Sequence, residues 1–112
     1  MKATLDYPPI TLDTLDEIVR RILAVGSPLK IVLFGSRARG ESRPDSDLDL
    51  LIIQESDLPR YKRSSCYLRA LVGVFPAKDV LVWTPQEVAE WAGVPNAFIT
   101  TVLREGKTLY GR

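Results

Sequence analysis

A glycine-serine turn and two alternating aspartates lie close together in the first half of the chain. The turn is Gly35-Ser36, which directly follows the apolar run 31–34, and the aspartates are Asp47 and Asp49. Glycine has no Cβ to hold a ligand away from the backbone, and a helix opening at Ser36 would direct free N–H groups towards an anion. We therefore predict that this turn binds phosphate, with the Ser36 hydroxyl as a further donor.

The two aspartates have the spacing of a shared metal site. Residues two apart on a β-strand point to the same face, so Asp47 and Asp49 would present their carboxylates side by side. Hard oxygen ligands of this kind suit Mg²⁺, or Mn²⁺ in its place, which commonly binds together with substrate phosphates. With Arg37 and Arg39 available for anionic oxygens, the combination predicts phosphoryl or nucleotidyl transfer.

The glycines and the aspartates each fit a second interpretation. Gly35 and Gly40 have the glycine spacing of a Walker-type loop, but Glu41 stands where the lysine of that loop belongs. Gly-Ser turns are also common after strands, and Asp-x-Asp is often a solvated strand edge. The two features together, between two apolar strands, favour the functional interpretation.

Apolar periodicity predicts the elements that must position these residues. We predict helices over 12–25, 58–74 and 84–91, strands over 30–34, 48–53 and 77–83, and a last helix that starts at 95 and is closed by Gly106. Thr11 is a candidate cap of the first helix, and Thr84 with Glu87 forms a capping signature. The predicted fold class is α/β (α+β), with a small mixed β-sheet of three to four strands flanked by helices. If the strand at 77–83 neighbours the strand at 48–53, Asp79 joins Asp47 and Asp49.

The helix-like segment 58–74 and three aromatic residues carry further predictions. Its inner face is predicted to contain Leu58, Tyr61, Ser65, Leu68, Leu71 and Val72. The patch 60–63 mixes cations with a tyrosine and could touch nucleic acid or an acidic partner, but a solvated helix face is the preferred interpretation. Trp83, Trp91 and Phe98 are predicted to be core or interface residues, not stacking platforms for bases.

Composition limits the classes of function. The 112 residues with 46% hydrophobic content predict a single domain over 1–112. Fifteen basic and 14 acidic residues give a net charge of +1, so no global field favours nucleic acid or membrane. The chain has no histidine, which excludes Ser-His and Cys-His nucleophile pairs and leaves the chemistry to carboxylates. Cys66 is the only cysteine, and no signal-peptide or membrane-spanning pattern is found, so we expect a cytoplasmic protein.

The spacing Gly35-Ser36, ten residues, Asp47-Leu48-Asp49 resembles the signature of the DNA polymerase beta-like nucleotidyltransferase superfamily. The short chain resembles the minimal nucleotidyltransferase (MNT) branch of that superfamily. The family carries a third acid at the start of a later strand, and Asp79 is similar to it in type and surroundings. The segment 103–110 also resembles the closing segment of these small proteins.

This resemblance implies a mechanism and a partner. It implies transfer of AMP from ATP, with two Mg²⁺ ions, to a tyrosine hydroxyl of a helical HEPN-domain toxin, so that the chain is an antitoxin in a hetero-oligomer without direct nucleic-acid contact. The implied catalytic and metal-binding residues are Asp47, Asp49 and Asp79, and the implied nucleotide-binding residues are Gly35, Ser36, Arg37 and Arg39.

Two rival functions stay open at the level of sequence. One is transfer of a nucleotide to a small molecule such as an aminoglycoside or to a nucleic-acid 3′ end, although such enzymes usually carry an added domain. The other is a non-catalytic antitoxin that occludes its partner while the acids are a relic.

Overall fold

The computed structural model describes residues 11–35, 38, 47–74, 78–95 and 97–111. The helices in these residues are α1 (Leu12–Val25), α2 (Ser65–Ala70), α3 (Pro85–Trp91) and α4 (Phe98–Glu105), with a 3-10 helix at Arg60–Lys62. The strands are β1 (Lys30–Phe34), β2 (Leu48–Ile53), β3 (Lys78–Trp83) and β4 (Lys107–Tyr110). No helix among them is long and apolar enough to cross a membrane.

The four strands form one mixed sheet in the order β3-β2-β1-β4. Strand β1 is antiparallel to both β2 and β4, whereas β2 and β3 run parallel. The predicted fold class, a small mixed sheet flanked by helices, is confirmed. The fourth strand was not located from the sequence, because β4 is only four residues long and exposed along most of its length. Its pairing with Ile31, Val32 and Leu33 of β1 is a contact between distant parts of the chain.

One layer of the core lies between the sheet and helices α1 and α2. Ile18 and Ile22 of α1 and Tyr67 of α2 are fully buried there, against Ile31 and Leu50 of the sheet. Helix α1 begins as predicted, because the Thr11 hydroxyl accepts a hydrogen bond from the Thr14 N–H at 3.2 Å. The first helix and its cap are therefore confirmed.

The other layer of the core lies under helix α4. It contains Val32, Leu51, Ile53, Ile99 and Val102. Because side chains alternate along a strand, Asp49 lies on the same face of β2 as Leu51, and Asp79 lies on the same face of β3 as Leu81. Both aspartates therefore belong to the α4 face of the sheet.

The segment 58–74 is not the continuous helix that we predicted. It forms the 3-10 helix, a turn, helix α2 and a further turn. Five of the six residues predicted to face inward are exposed, namely Leu58, Tyr61, Ser65, Leu68 and Val72. The burial of Leu71 is confirmed, but the other buried positions belong to Arg63 and Tyr67, which the apolar periodicity did not place on the inner face.

The buried guanidinium of Arg63 explains this break in the helix. Its Nε donates to the Leu58 carbonyl at 2.8 Å, and its Nη1 donates to the Val82 carbonyl at 3.3 Å and to Glu87 Oε1 at 2.7 Å. Arg60 adds a bond to the second oxygen of Glu87 at 3.2 Å. These hydrogen bonds therefore hold the segment 58–74 against β3 and the start of α3.

Helix α3 has the predicted start, and α4 begins later than predicted. Thr84 and Glu87 form a capping box, so that prediction is confirmed. The last helix begins at Phe98 after the extended residue Ala97, not at residue 95, and it ends at Gly106 as expected. Thr100 fixes the preceding turn, because its hydroxyl donates to carbonyls of the segment 91–94.

The ionised carboxylate of Glu87 makes part of the folding stability sensitive to acid. The Arg63 hydrogen bond, aided by the Thr84 N–H and Arg60 and opposed by burial, lowers the pKa of Glu87 from 4.5 to about 2. Because the folded pKa is the lower one, the stabilisation is complete above pH 4.5 and is lost as the pH falls towards 2. We expect Glu87→Gln to lower the free energy of unfolding at pH 7 by about 1 to 2 kcal/mol, a value discounted for partial solvent exposure.

Urea unfolding of both proteins between about pH 7 and about pH 2.5 checks this expectation. The difference between wild type and Glu87→Gln should shrink as the pH falls below 4.5, because the native state then loses the advantage of its ionised carboxylate. A difference that stays constant over this range would contradict the role of the Glu87 charge.

Candidate functional site

The end of β1 makes the tight turn that the sequence predicted. Gly35 has φ +78°, in the left-handed region that favours glycine, and its carbonyl accepts a hydrogen bond from the Ala38 N–H at 3.1 Å. A Cβ at Gly35 would overlap the carboxylate of Asp49 and come within 3.3 Å of its Cγ. The bare Cα is therefore required both by the backbone angle and by the close approach of Asp49.

Three of the predicted nucleotide-binding residues lie outside the described residues. These are Ser36, Arg37 and Arg39. The short helix predicted after Gly35 also falls largely in that region, and of its residues Ala38 is described as helical and buried. The proposed roles of the serine and the two arginines therefore stay predictions.

The sheet register brings two of the predicted acids together. Asp49 of β2 pairs with Asp79 of β3 on one side and with Phe34 of β1 on the other. Neighbouring strands lie about 4.8 Å apart, so the two carboxylates project from adjacent positions on the same face. Gly35 follows Phe34 directly, and hence the turn and both acids lie at one edge of the α4 face.

Asp47 immediately precedes β2 and is exposed. It lies two residues before Asp49, and the fully buried Leu48 between them points into the α1 layer, as the alternation predicted. The chain thus places Asp47 beside the Asp49 and Asp79 pair at the start of β2.

In the part of the chain that is described, no group of three acidic or cysteine side chains is arranged to hold a metal ion. The register aligns the backbones of Asp49 and Asp79, but the carboxylates of the three aspartates are not gathered into a ready ligand set. Their chemistry still fits Mg²⁺, because carboxylate oxygens on adjacent strands are hard ligands and Gly35 leaves the Asp49 carboxylate uncovered by a Cβ. The shared metal site therefore stays a prediction.

Two hollows on the α4 face contain residues that the sequence did not single out. The first, which we call the turn cavity, has a volume of about 240 Å³ and is lined by Phe34, Gly35, Phe98, Thr101, Val102 and Glu105. The second, which we call the aromatic hollow, has a volume of about 320 Å³ and is lined by Arg60, Trp83, Trp91, Ala97, Phe98 and Ile99. The sequence had marked Gly35 for phosphate and three aromatic residues for the core or an interface, but for Thr101 and Glu105 it offered only the amphipathic pattern of α4, which predicts burial and not ligand binding.

Two aromatic side chains that line the aromatic hollow are about half exposed. Trp91 and Phe98 have relative accessibilities of 48% and 46%. The Trp83 ring lies under the Arg60 guanidinium, whose Cζ is 4.5 Å from the ring centroid. The predicted interface role therefore suits Trp91 and Phe98 better than a core role does.

The two arginines of the basic patch 60–63 make their contacts mainly within the protein. Arg63 is buried and bonded to Glu87, and Arg60 is held by Glu87 and by the ring of Trp83. Lys62 and Tyr61 remain exposed and lie against each other, with Nζ 5.8 Å from the ring centroid. Because of these internal contacts, fewer cations of the patch are available to bind nucleic acid.

The family is shown by comparison with known proteins. The family model described as the nucleotidyltransferase domain matches residues 12–106, and the chain belongs to this family of enzymes. The predicted resemblance to nucleotidyltransferases is therefore confirmed.

Among solved structures, the fold is similar to that of three proteins. A presumed nucleotidyltransferase from Sulfolobus solfataricus has a TM-score of 0.62 and 23% identity, with 90% of this chain and 80% of that chain covered. A toxin-antitoxin structure with AMP-PNP gives a TM-score of 0.62 and 19% identity, with coverages of 88% and 73%. A complex of tri-AMPylated Shewanella oneidensis HEPN toxin with MNT antitoxin gives 0.56 and 16% identity, with coverages of 88% and 71%. These likenesses show a shared nucleotidyltransferase fold.

One curated relative matches in sequence. The bifunctional uridylyltransferase/uridylyl-removing enzyme of Methylococcus capsulatus is 35% identical over 96 residues, which is 82% of this chain. The chain spans 11% of the length of that enzyme.

Proposed function

We propose that this chain is a single-domain, metal-dependent nucleotidyltransferase that transfers AMP from ATP to a tyrosine hydroxyl of a HEPN-domain toxin and thereby acts as its antitoxin. The observation that carries the proposal is the register that aligns Asp79 with Asp49 beside the turn at Gly35. The related folds of a toxin-antitoxin pair with AMP-PNP and of an AMPylated HEPN toxin complex support the choice of substrate and partner.

The turn binds the outer phosphates of ATP. Gly35 permits the sharp turn at φ +78°, so that the N–H groups that follow it would face the phosphate oxygens. Ser36 donates its hydroxyl, and Arg37 and Arg39 neutralise the remaining charge of the triphosphate.

The three aspartates hold the divalent cations. Asp47 and Asp49 would bind both ions, and Asp79 would bind the one nearer the acceptor. When bound, Mg²⁺ neutralises charge on the triphosphate and lowers the pKa of the acceptor hydroxyl. The position of Asp49 between the turn and Asp79 supports this assignment, because a cation held there would lie next to phosphates bound at the turn.

The transfer is an in-line displacement at the α-phosphorus. The acceptor hydroxyl gives its proton to solvent water, its oxygen forms the new bond to the α-phosphorus, the bond to the bridging oxygen breaks, and pyrophosphate leaves with the electron pair. The contribution of the chain is to fix the triphosphate against Gly35 so that the α-phosphorus faces the side of Asp79.

The aromatic hollow offers a surface that suits a protein substrate. The aromatic hollow next to α4 leaves Trp91 and Phe98 half exposed, and aromatic residues are enriched in protein interfaces. A helical partner docked on this surface would cover the ring of Trp91 and would bring its tyrosine towards Asp79.

Incubation with the HEPN partner, ATP and Mg²⁺ tests the proposal. Intact-mass spectrometry should show the partner gaining one or more adenylyl groups, and the wild type should neutralise its toxicity. An unchanged mass of the partner under these conditions would contradict the transfer.

A double variant separates transfer from simple occlusion. Asp47→Asn with Asp49→Asn should still bind the partner but should neither modify nor neutralise it. Neutralisation that persists in the double variant would show that the chain acts by covering its partner and not by chemistry.

A further inference from the structure

The turn cavity adjoins the proposed phosphate site directly, because Gly35 forms part of both. A nucleotide whose triphosphate lies on this turn therefore has a hollow of about 240 Å³ next to it, between the end of β1 and helix α4. The hollow is large enough for one nucleobase and is open on one side, which allows the base to enter while the phosphates stay at the turn.

Two aromatic rings form the apolar wall of the cavity. The rings of Phe34 and Phe98 meet edge to face, with centroids 5.6 Å apart and an interplanar angle of 82°. Phe98 retains a relative accessibility of 46%, so its ring is available to a ligand. A flat π system is the ligand class that such a wall favours, and a purine offers the larger face.

The same face of α4 also carries polar side chains that can form hydrogen bonds with a ligand in the cavity. Thr101 and Glu105 are four residues apart on α4 and so lie on one face of the helix, one turn from each other. The hydroxyl can donate or accept, whereas an ionised carboxylate can only accept. The bond between Glu105 and Arg104 joins two exposed side chains at 3.3 Å, so solvent and ligands can compete with it.

A carboxylate at this position distinguishes bases by their exocyclic groups. Adenine, guanine and cytosine carry amino groups that can donate to it, whereas the exocyclic groups of uracil are carbonyl oxygens that a carboxylate repels. Glu105 is partly exposed, so water can hydrate its carboxylate when a base brings no donor, and the discrimination rests on the hydrogen bond gained and on the repulsion of a carbonyl oxygen.

We propose that the turn cavity is the nucleobase site of this enzyme and that it selects bases with an exocyclic amino group over uracil, with Phe98 stacking on the base and Glu105 accepting a hydrogen bond from its amino group. This inference rests on the proposed function, since it assumes that a nucleoside triphosphate binds at Gly35. It adds the residues that choose the base.

Binding of non-hydrolysable α,β-methylene analogues of ATP, GTP and UTP, measured by calorimetry with Mg²⁺, tests the inference. The wild type should bind the ATP and GTP analogues about tenfold more tightly than the UTP analogue. Glu105→Gln should reduce this preference to about twofold or less, because an amide can donate to uracil as well as accept. Phe98→Ala should weaken all three analogues by about tenfold through loss of stacking.

Two controls keep the outcomes separate. Glu90→Gln makes the same charge change on an exposed residue of α3 and should leave the base preference unchanged. If Phe98→Ala melts at a clearly lower temperature than the wild type, Thr101→Val is used in its place to test the cavity. This variant should reduce the affinity for the ATP analogue several-fold.

Binding of all three analogues with equal affinity, or a preference that survives Glu105→Gln, would overturn the base site and leave the proposed transfer intact. Failure of the wild type to bind any analogue would overturn both.

Discussion

Replacement of Asp79 by asparagine is expected to lower AMP transfer by about a thousandfold while the protein stays folded. The loss is expected because Asp79 lies beside Asp49 on the neighbouring strand. A neutral amide at position 79 removes one of the two negative charges of this pair, which is proposed to hold the cation. Stability should be unchanged or slightly higher, since like charges at adjacent strand positions repel each other. Transfer is measured with radiolabelled ATP and the HEPN partner, and folding by thermal unfolding.

Asp16 supplies the matched control for that substitution. It is exposed on α1, which covers the opposite face of the sheet, and Asp16→Asn makes the same change of charge. The control should transfer AMP at the wild-type rate. Full activity of Asp79→Asn, or a fall in its midpoint of several degrees, would show that Asp79 serves the fold and not the reaction.

Gly35→Ala is expected to reduce transfer by at least about a hundredfold and to destabilise the protein by about 1 to 2 kcal/mol. Two physical causes add together at this position. The backbone has φ +78°, where a Cβ is strained, and the added methyl group would displace the carboxylate of Asp49. The methyl group would also cover the backbone N–H groups to which the phosphates are proposed to bind.

Gly73 separates these causes, because it shares the backbone strain without the collision. Its φ is +89°, and nothing lies within 4 Å of a Cβ built there. Gly73→Ala should therefore lose a similar free energy of unfolding but keep its transfer rate and its affinity for ATP. If both alanine variants lose activity to the same extent, general destabilisation explains the effect and the turn has no special role.

The parts of the fold that follow from local patterns could be predicted from the sequence. The capped helix α1, the apolar strands β1 and β2 and the capping box at Thr84 depend on neighbouring residues, and each lies where the pattern indicated. The alignment of Asp79 with Asp49 needed one further assumption, that β2 and β3 are neighbours, and the register confirms it.

The parts that failed depend on contacts between distant residues. The predicted helix over 58–74 is broken because Arg63 is buried to bond Val82 and Glu87, and periodicity treats an arginine as a surface residue. Strand β4 exists because β1 offers it an edge, which its own four residues do not reveal.

The turn cavity was also missed, for a related reason. Thr101 and Glu105 acquire a role only when α4 is packed over the end of β1, and their types are ordinary for the outer side of a helix. Their position opposite Gly35 follows from the packing of α4 and not from any local pattern.

The aspartates beside the Gly35 turn are proposed to bind a divalent cation together with a nucleoside triphosphate, and the whole mechanism depends on this binding. Electron paramagnetic resonance of Mn²⁺ titrated into the protein with AMP-PNP tests it most directly. We expect the wild type to remove Mn²⁺ from solution in the presence of the nucleotide, and the variant with Asp47→Asn and Asp49→Asn to take up at least about tenfold less at the same concentrations. Equal uptake of Mn²⁺ by the two proteins would contradict the account.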